Sequence, residues 1–208
     1  MTYKLYWSPA TASMAVHWLL IELGVAHELS RIDTDAKQQK SPEYLKLNPN
    51  GVVPTLIVDG VPRYECAALV MLLAERHPGY APAVGTPARA DYLMWMVHLA
   101  NTLQPAFRAW FYPDEPAGAD NADAAKAMAR TRVEATWDRV EAHLAGRTYM
   151  AGDAVSALDF YATMLMRWSR NMPKPATKWP AIAAYVARMK ARPSFKTMYE
   201  REGLTEWA

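Results

Sequence analysis

The sequence contains 208 residues, of which 51% are hydrophobic and 21% are charged, and its formal net charge is +2. A chain of this length and composition can bury a core in one large domain or two small ones, which excludes a disordered protein. Acidic and basic residues are interspersed, so the concentrated basic face of nucleic-acid-binding proteins is missing and no nucleic acid partner is expected.

The number of cysteines, the spacing of histidines and the length of apolar runs exclude further classes of protein. Cys66 is the only cysteine, so no intrachain disulfide can form. The longest strictly apolar run, residues 67–74, is far shorter than the ~20 residues of a membrane helix. The five histidines are at least ten residues apart, which excludes a helical zinc-binding pair. We therefore expect a cytoplasmic protein with no metal and no membrane partner.

The first part of the chain, residues 1–78, alternates between strand and helix patterns. Strands are predicted over residues 3–7, 27–32, 52–58 and 61–64, the last two joined by a tight turn at Asp59-Gly60. Helices are predicted after Ser13 as N-cap, after Ser41 as N-cap with Pro42 next, and over residues 65–76. This order predicts an α/β domain with a small sheet and helices on both faces.

Residues 79–87 are rich in proline and glycine and are predicted to be a linker to an all-helical domain over residues 88–208. A long helix there should be kinked by Pro105. Further helices are predicted over 122–144, 156–168 and 180–191, and after Pro193. Ser156 and Asp159 form a capping box, to which we assign a structural role.

Two segments of the first domain have the chemistry of a ligand site. A cis bond at Val53-Pro54 would leave the Val53 peptide groups free for an extended ligand, although an ordinary trans proline at a strand start is the simpler interpretation of these residues alone. The helix start at Glu65-Cys66 could hold an α-carboxylate and an α-amine together. Glu65 could equally serve only to complement the helix dipole.

Four features in order resemble the cytosolic glutathione S-transferases over nearly the whole chain: KLYWSP before a helix, Val-Val-Pro-Thr-Leu, Tyr-Glu-Cys before an apolar helix, and Ser-x-x-Asp in the later domain. The resemblance implies a thioredoxin-like N-terminal domain, an all-helical C-terminal domain and a homodimer. It also implies glutathione as co-substrate, conjugation to small apolar electrophiles, and a role in detoxification.

The same resemblance assigns roles to residues of the N-terminal domain. Val53, before Pro54, would pair with the backbone of the glutathione cysteine, and Glu65 with Cys66 would hold the γ-glutamyl end. The family usually has serine where this chain has Cys66, so that hydroxyl bond would be lost. Lys37 matches a position that meets the glycine carboxylate in bacterial members, and its alternative is a solvated loop lysine.

The group that activates the thiol is less obvious. The segment from Ser8 to Ser13 is most similar to that of bacterial beta-type members, but their catalytic cysteine is replaced by Ala12. A hydroxyl near a helix start can also stabilise a thiolate. Thr11 and Ser13 are equal candidates, followed by Ser8.

The helical domain would supply the electrophile site. Asn101 and Gln104 align with the family helix that borders the active site. An apolar pocket could be lined by Trp7, Trp110, Tyr112 and Trp168. Two alternatives remain open: a non-catalytic ligand- or protein-binding module of the same fold, and a reductase that uses Cys66 through a mixed disulfide.

Overall fold

The computed structural model describes residues 2–207. The chain forms two compact units, one containing the residues up to Ala81 together with those from Met189 onward, and the other containing Pro82–Arg188. The first unit is therefore assembled from two segments that lie far apart in the sequence.

The first unit is built on a four-stranded mixed sheet. Its strands are β1 (Tyr3–Trp7), β2 (Glu28–Arg31), β3 (Thr55–Val58) and β4 (Val61–Tyr64), in the order β2-β1-β3-β4. β1 pairs with β2 in parallel and with β3 antiparallel, and β3 and β4 form a hairpin through Asp59 and Gly60. The predicted α/β sheet and its hairpin are confirmed.

Two helices connect these strands, a third follows β4, and a fourth is contributed by the distant segment. They are α1 (Ser13–Glu22), α2 (Pro42–Leu45), α3 (Cys66–Arg76) and α10 (Pro193–Glu202). The buried face of α1 packs against both α3 and α10. Ser41 caps α2 as predicted, because its hydroxyl accepts a hydrogen bond from the Tyr44 N–H at 3.2 Å.

Two local predictions were wrong in this unit. Ser13 does not cap α1, since the N-cap position is Ala12 and no side chain caps that end. The Ser13 hydroxyl instead donates to the Ser8 carbonyl at 3.0 Å. β3 begins at Thr55 and not at Val52, because Pro54 has no N–H for the strand ladder.

The second unit is helical throughout, which confirms the predicted all-α architecture. Its helices are α4 (Pro87–His98), α5 (Gln104–Phe111), α6 (Asp114–Ala117), α7 (Ala122–Leu144), α8 (Ala157–Trp168) and α9 (Pro180–Lys190), the last of which runs past Arg188. α6 was not predicted. Every helix among residues 2–207 is too short or too polar to cross a membrane.

The predicted kink at Pro105 takes the form of a π-helical segment, Leu99–Leu103, between α4 and α5. Proline lacks the N–H that would bond to the carbonyl four residues earlier, and its ring would clash with that carbonyl. A wider turn just before the proline lets the helical path continue through α5.

The capping box at α8 is confirmed. The buried Asp159 carboxylate accepts hydrogen bonds from the Ser156 N–H at 2.7 Å, the Ser156 hydroxyl at 2.8 Å and the Met150 N–H at 2.9 Å. The Tyr185 hydroxyl of α9 donates a further bond at 2.8 Å. One side chain thus joins the start of α8 to a loop and to α9.

Candidate functional site

The loop from Ser8 to Ala12 carries the candidate hydroxyls from the end of β1 to the start of α1. The Thr11 hydroxyl donates to the Ser8 carbonyl at 2.8 Å and lies 2.9 Å from the Ser13 hydroxyl. The Ser13 hydroxyl also accepts from the Ser8 N–H at 3.2 Å. The structure therefore brings all three candidates into one turn.

These hydroxyls differ in their access to a ligand. Ser13 is fully buried, and its oxygen is bonded on both sides to the Ser8 backbone. Ser8 is also buried, and its hydroxyl lies 3.3 Å from that of Thr34. Thr11 is only partly buried, so it is the most exposed of the three residues.

The N-terminus of α3 lies beside that of α1. The Cys66 thiol donates to the Ala12 carbonyl at 3.0 Å and thereby joins the first residue of α3 to the residue before α1. Neither helix has a side-chain cap at this end. Among residues 2–207 the first N–H groups of α3 have no partner, whereas at α1 the Ser13 and Met14 N–H groups bond to the Thr11 hydroxyl and carbonyl at 3.4 and 3.1 Å. The positive end potentials of the two helices lie close together.

Glu65 is the N-cap residue of α3. Its side chain is exposed, its φ of +73° is unusual for a residue with a side chain, and Asn50 donates to it at 3.3 Å. The carboxylate is held beside the open helix end, where it can receive an ammonium group. Cys66 itself is buried, and burial, with a smaller contribution from Glu65, raises the pKa of its thiol far above its usual range.

The Val53-Pro54 bond is cis. The simpler trans interpretation was wrong, and the cis form implied by the family resemblance is found. Val53 precedes the ladder of β3, and within residues 2–207 its N–H and C=O have no hydrogen-bond partner. The preceding carbonyl, that of Val52, is fixed by the Tyr44 hydroxyl at 2.9 Å and the Asn48 amide at 2.8 Å.

Lys37 lies in the loop between β2 and α2. It has a left-handed backbone conformation with φ of +57°, and its side chain is exposed. An exposed ammonium group on this loop is available to an anion.

The polar candidates of the second unit have separate surroundings. Asn101, in the π-helical segment, lines a groove of about 350 Å³ together with Arg132 and Arg139 of α7. Gln104 accepts a hydrogen bond from the Tyr161 hydroxyl, so its amide is already engaged within the unit.

The aromatic candidates belong to both units and have different neighbours. Trp168 packs edge-on against Phe107, with ring centroids 5.8 Å apart. Trp110 is covered by the Lys126 ammonium at 4.8 Å and Tyr112 by the Arg108 guanidinium at 4.1 Å. Trp7 belongs to the first unit, where it is buried.

Two contributors to the site were missed from the sequence. Neither Asn50 nor Glu202 was singled out as a site residue. The Glu202 carboxylate accepts a hydrogen bond from the Ala10 N–H at 3.0 Å, which ties α10 to the loop of the candidate hydroxyls. Only the Asn-Pro-Asn-Gly motif gave a local signal for Asn50, and Glu202 gave none, because its partners lie more than 180 residues away.

Comparison with known proteins identifies relatives along the whole chain. Residues 1–70 match the family model of the glutathione S-transferase N-terminal domain, and residues 95–193 match that of the C-terminal domain. A glutathione S-transferase of Xanthomonas campestris pv. campestris is 32% identical over 207 residues, covering 97% of this chain and 99% of that protein.

Solved structures agree with these matches. A sphingomonad glutathione S-transferase complexed with glutathione is 31% identical, with a TM-score of 0.83 over 97% of this chain and 100% of that one. A bacterial beta class glutathione S-transferase of Sphingomonas chungbukensis is 28% identical, with a TM-score of 0.84 and the same coverage.

Proposed function

Because the chain belongs to the glutathione S-transferase family, we propose that it is a glutathione transferase that conjugates the thiolate of reduced glutathione to small apolar electrophiles. The observation that carries the proposal is the open N-terminus of α3, which contacts the residue before α1. The unpaired peptide groups of Val53 support it. An extended tripeptide with anionic ends and a thiolate matches these donors.

The γ-glutamyl end of glutathione would bind at α3. Its α-carboxylate would accept hydrogen bonds from the open backbone N–H groups that include Cys66, and its ammonium would pair with Glu65. Val53, held next to Pro54, would form two backbone bonds with the central cysteine. Lys37 would meet the glycine carboxylate from the loop before α2.

The thiolate would lie at the start of α1. Thr11 is our candidate for the hydroxyl that donates to the sulfur, since it is the most accessible of the three, while Ser13 and Ser8 would hold its turn. A decrease of one pKa unit in the bound thiol corresponds to about 1.4 kcal/mol, which one good hydrogen bond can supply.

The proposal also covers the electrophile site, the oligomeric state and the class of the enzyme. The electrophile site would include Trp7, Trp110, Tyr112 and Trp168, with Asn101 and Gln104 at its border. The exposed apolar side chains of Leu93, Met94 and Val97 on α4 support a homodimer. We further propose a cytoplasmic, beta-like enzyme of detoxification in which Ala12 replaces the usual cysteine.

Calorimetric titration with reduced glutathione, followed by turnover of a model electrophile, tests the proposal. Thr11→Val should raise the apparent pKa of the bound thiol by about one unit and lower kcat/KM about tenfold at neutral pH. Its affinity for glutathione should stay within about twofold of the original, because the anchors lie elsewhere. Thr131→Val, at an exposed threonine of α7, is the matched control. Failure to bind millimolar glutathione would overturn the proposal.

A non-catalytic binding module is the second candidate function. The observation that favours it is that the Thr11 and Ser13 hydroxyls both donate to the Ser8 carbonyl, so a sulfur would have to displace that carbonyl as the acceptor of either proton. Retention on glutathione resin without turnover of several model electrophiles would support this alternative.

A further inference from the structure

The Glu202 carboxylate of α10 is completely buried beneath the loop that carries Thr11. One oxygen accepts the Ala10 N–H at 3.0 Å, and the other lies 2.9 Å from Nδ1 of His17 on α1. Both the His17 and the Glu202 side chains have no solvent exposure. A buried carboxylate is costly unless specific partners compensate it, so these two contacts need an explanation.

The attachment of α10 to α1 does not require this carboxylate. The Trp18 indole N–H donates to the Ser194 hydroxyl at 2.9 Å, and Glu22 is bonded to both Arg192 and Ser194. These contacts already join the two helices through their other ends. Glu202 instead acts on the loop between β1 and α1.

The loop has a backbone conformation that must be held. Ala10 has φ of +60°, a left-handed conformation that alanine rarely adopts because its Cβ approaches the backbone. Its N–H is directed to Glu202 in this conformation. His17, the second partner of Glu202, also contacts the Trp7 ring, with centroids 5.6 Å apart, at the other end of the loop.

We propose that Glu202 is a positioning residue, which fixes Ala10 and thereby presents the Thr11 hydroxyl to the glutathione sulfur. This role rests on the proposed transferase function. Glu202 itself touches neither reactant, and it acts through the Ala10 peptide and the His17 ring. Losing it should impair thiolate formation more than glutathione binding, because the proposed anchors at Val53 and Glu65 do not depend on it.

Three variants test this role. Glu202→Ala removes both contacts, Glu202→Gln retains an oxygen for the Ala10 N–H, and Glu200→Gln changes an exposed glutamate of the same helix. Each is measured for amide hydrogen exchange at Ala10 without glutathione, and for the apparent pKa of bound glutathione from thiolate absorbance. The kcat and the KM for glutathione are then measured with a model electrophile.

In Glu202→Ala we expect exchange at Ala10 to accelerate at least about tenfold. The apparent pKa of the bound thiol should rise by about one unit and kcat should fall about tenfold at neutral pH, while KM for glutathione changes less than about twofold. Glu202→Gln should retain most of the activity, and Glu200→Gln should match the unchanged protein. If Glu202→Ala does not fold, Glu202→Met fills the same space without an acceptor for the Ala10 N–H and allows the same measurements.

Faster exchange with an unchanged thiol pKa and kcat would reduce Glu202 to a structural contact and overturn the proposal. Unchanged exchange in Glu202→Ala would overturn it as well. If the unaltered protein forms no glutathione thiolate, the transferase function itself fails and the positioning role fails with it. The exchange measurement separates the two cases, since it needs no glutathione.

Discussion

The N-termini of α8 and α3 are capped differently. At α8 the Ser156 and Asp159 side chains form hydrogen bonds with the backbone of the helix start and with each other. At α3 the preceding residue, Glu65, makes no capping bond and its side chain is exposed. Both ends begin with an acidic residue close to the first turn of an apolar helix. In α8 the carboxylate is turned inward and buried, and in α3 it is turned outward.

The different capping of the two helix ends indicates a structural role for the start of α8 and a binding role for the start of α3. A closed capping box uses every polar group on the protein itself, so its effect is stability. An open end leaves backbone N–H groups available to water or to an anionic ligand. Residue type alone does not separate the two cases, because direction and burial decide.

The largest effect should come from the closed end. Asp159→Ala leaves several buried donors without an acceptor, and we expect it to lower the free energy of unfolding by about 3 kcal/mol or more. Asp153→Ala, at an exposed aspartate of the preceding loop, is the control. Denaturant unfolding measures both. A loss below about 1 kcal/mol would contradict the structural role of the capping box.

A substitution at the open N-terminus of α3 should change glutathione affinity and not stability. Glu65→Gln removes the charge that would pair with the glutathione ammonium, and we expect about a tenfold loss of glutathione affinity with unfolding changed by less than about 0.5 kcal/mol. Calorimetry and unfolding curves measure the two quantities, with the exposed Glu43→Gln as control. Equal loss of stability in Glu65→Gln would mean that its role is structural.

A simpler cap provides an intermediate case. The Ser41 hydroxyl bonds to the Tyr44 N–H at the start of α2, so Ser41→Ala should cost about 1 kcal/mol of stability. Ser41→Thr should recover most of this loss. Thermal unfolding compares the two variants, and equal midpoints would show that the hydroxyl contributes nothing.

The smallest effect is expected at Cys66. A serine hydroxyl can replace the thiol as donor to the Ala12 carbonyl, so Cys66→Ser should stay within about 0.5 kcal/mol in stability and keep full turnover. Because burial raises the pKa of the thiol, iodoacetamide should label Cys66 only after unfolding. Rapid labelling of the folded protein, with activity lost in Cys66→Ser, would favour the mixed-disulfide reductase.

Local rules predicted the features whose partners are neighbours in sequence. The Ser41 cap, the Asp59-Gly60 hairpin and the Ser156–Asp159 box each lie within a few residues, and all three are found. The same rule failed at Ser13, which is the first residue of α1 and not its N-cap, and whose hydroxyl oxygen accepts the Ser8 N–H instead. A hydroxyl with two possible partners cannot be assigned from residue type.

Features that depend on distant contacts were beyond these rules. The whole second unit separates Glu202 from Ala10 and His17 in the sequence. His17 is fully buried, and among residues 2–207 only its Nδ1 has a hydrogen-bond partner. That partner, Glu202, was not predictable, because no periodicity links positions so far apart.

The attachment of α10 to the first unit has a consequence for biosynthesis. The ribosome synthesises the sheet and α1 to α3 long before it translates residues 193–202. The nascent sheet therefore lacks its last helix while the second unit is being synthesised. Ala10 can be locked only once Glu202 has been synthesised. Maturation of the candidate site is thereby deferred until almost all of these 208 residues have been translated.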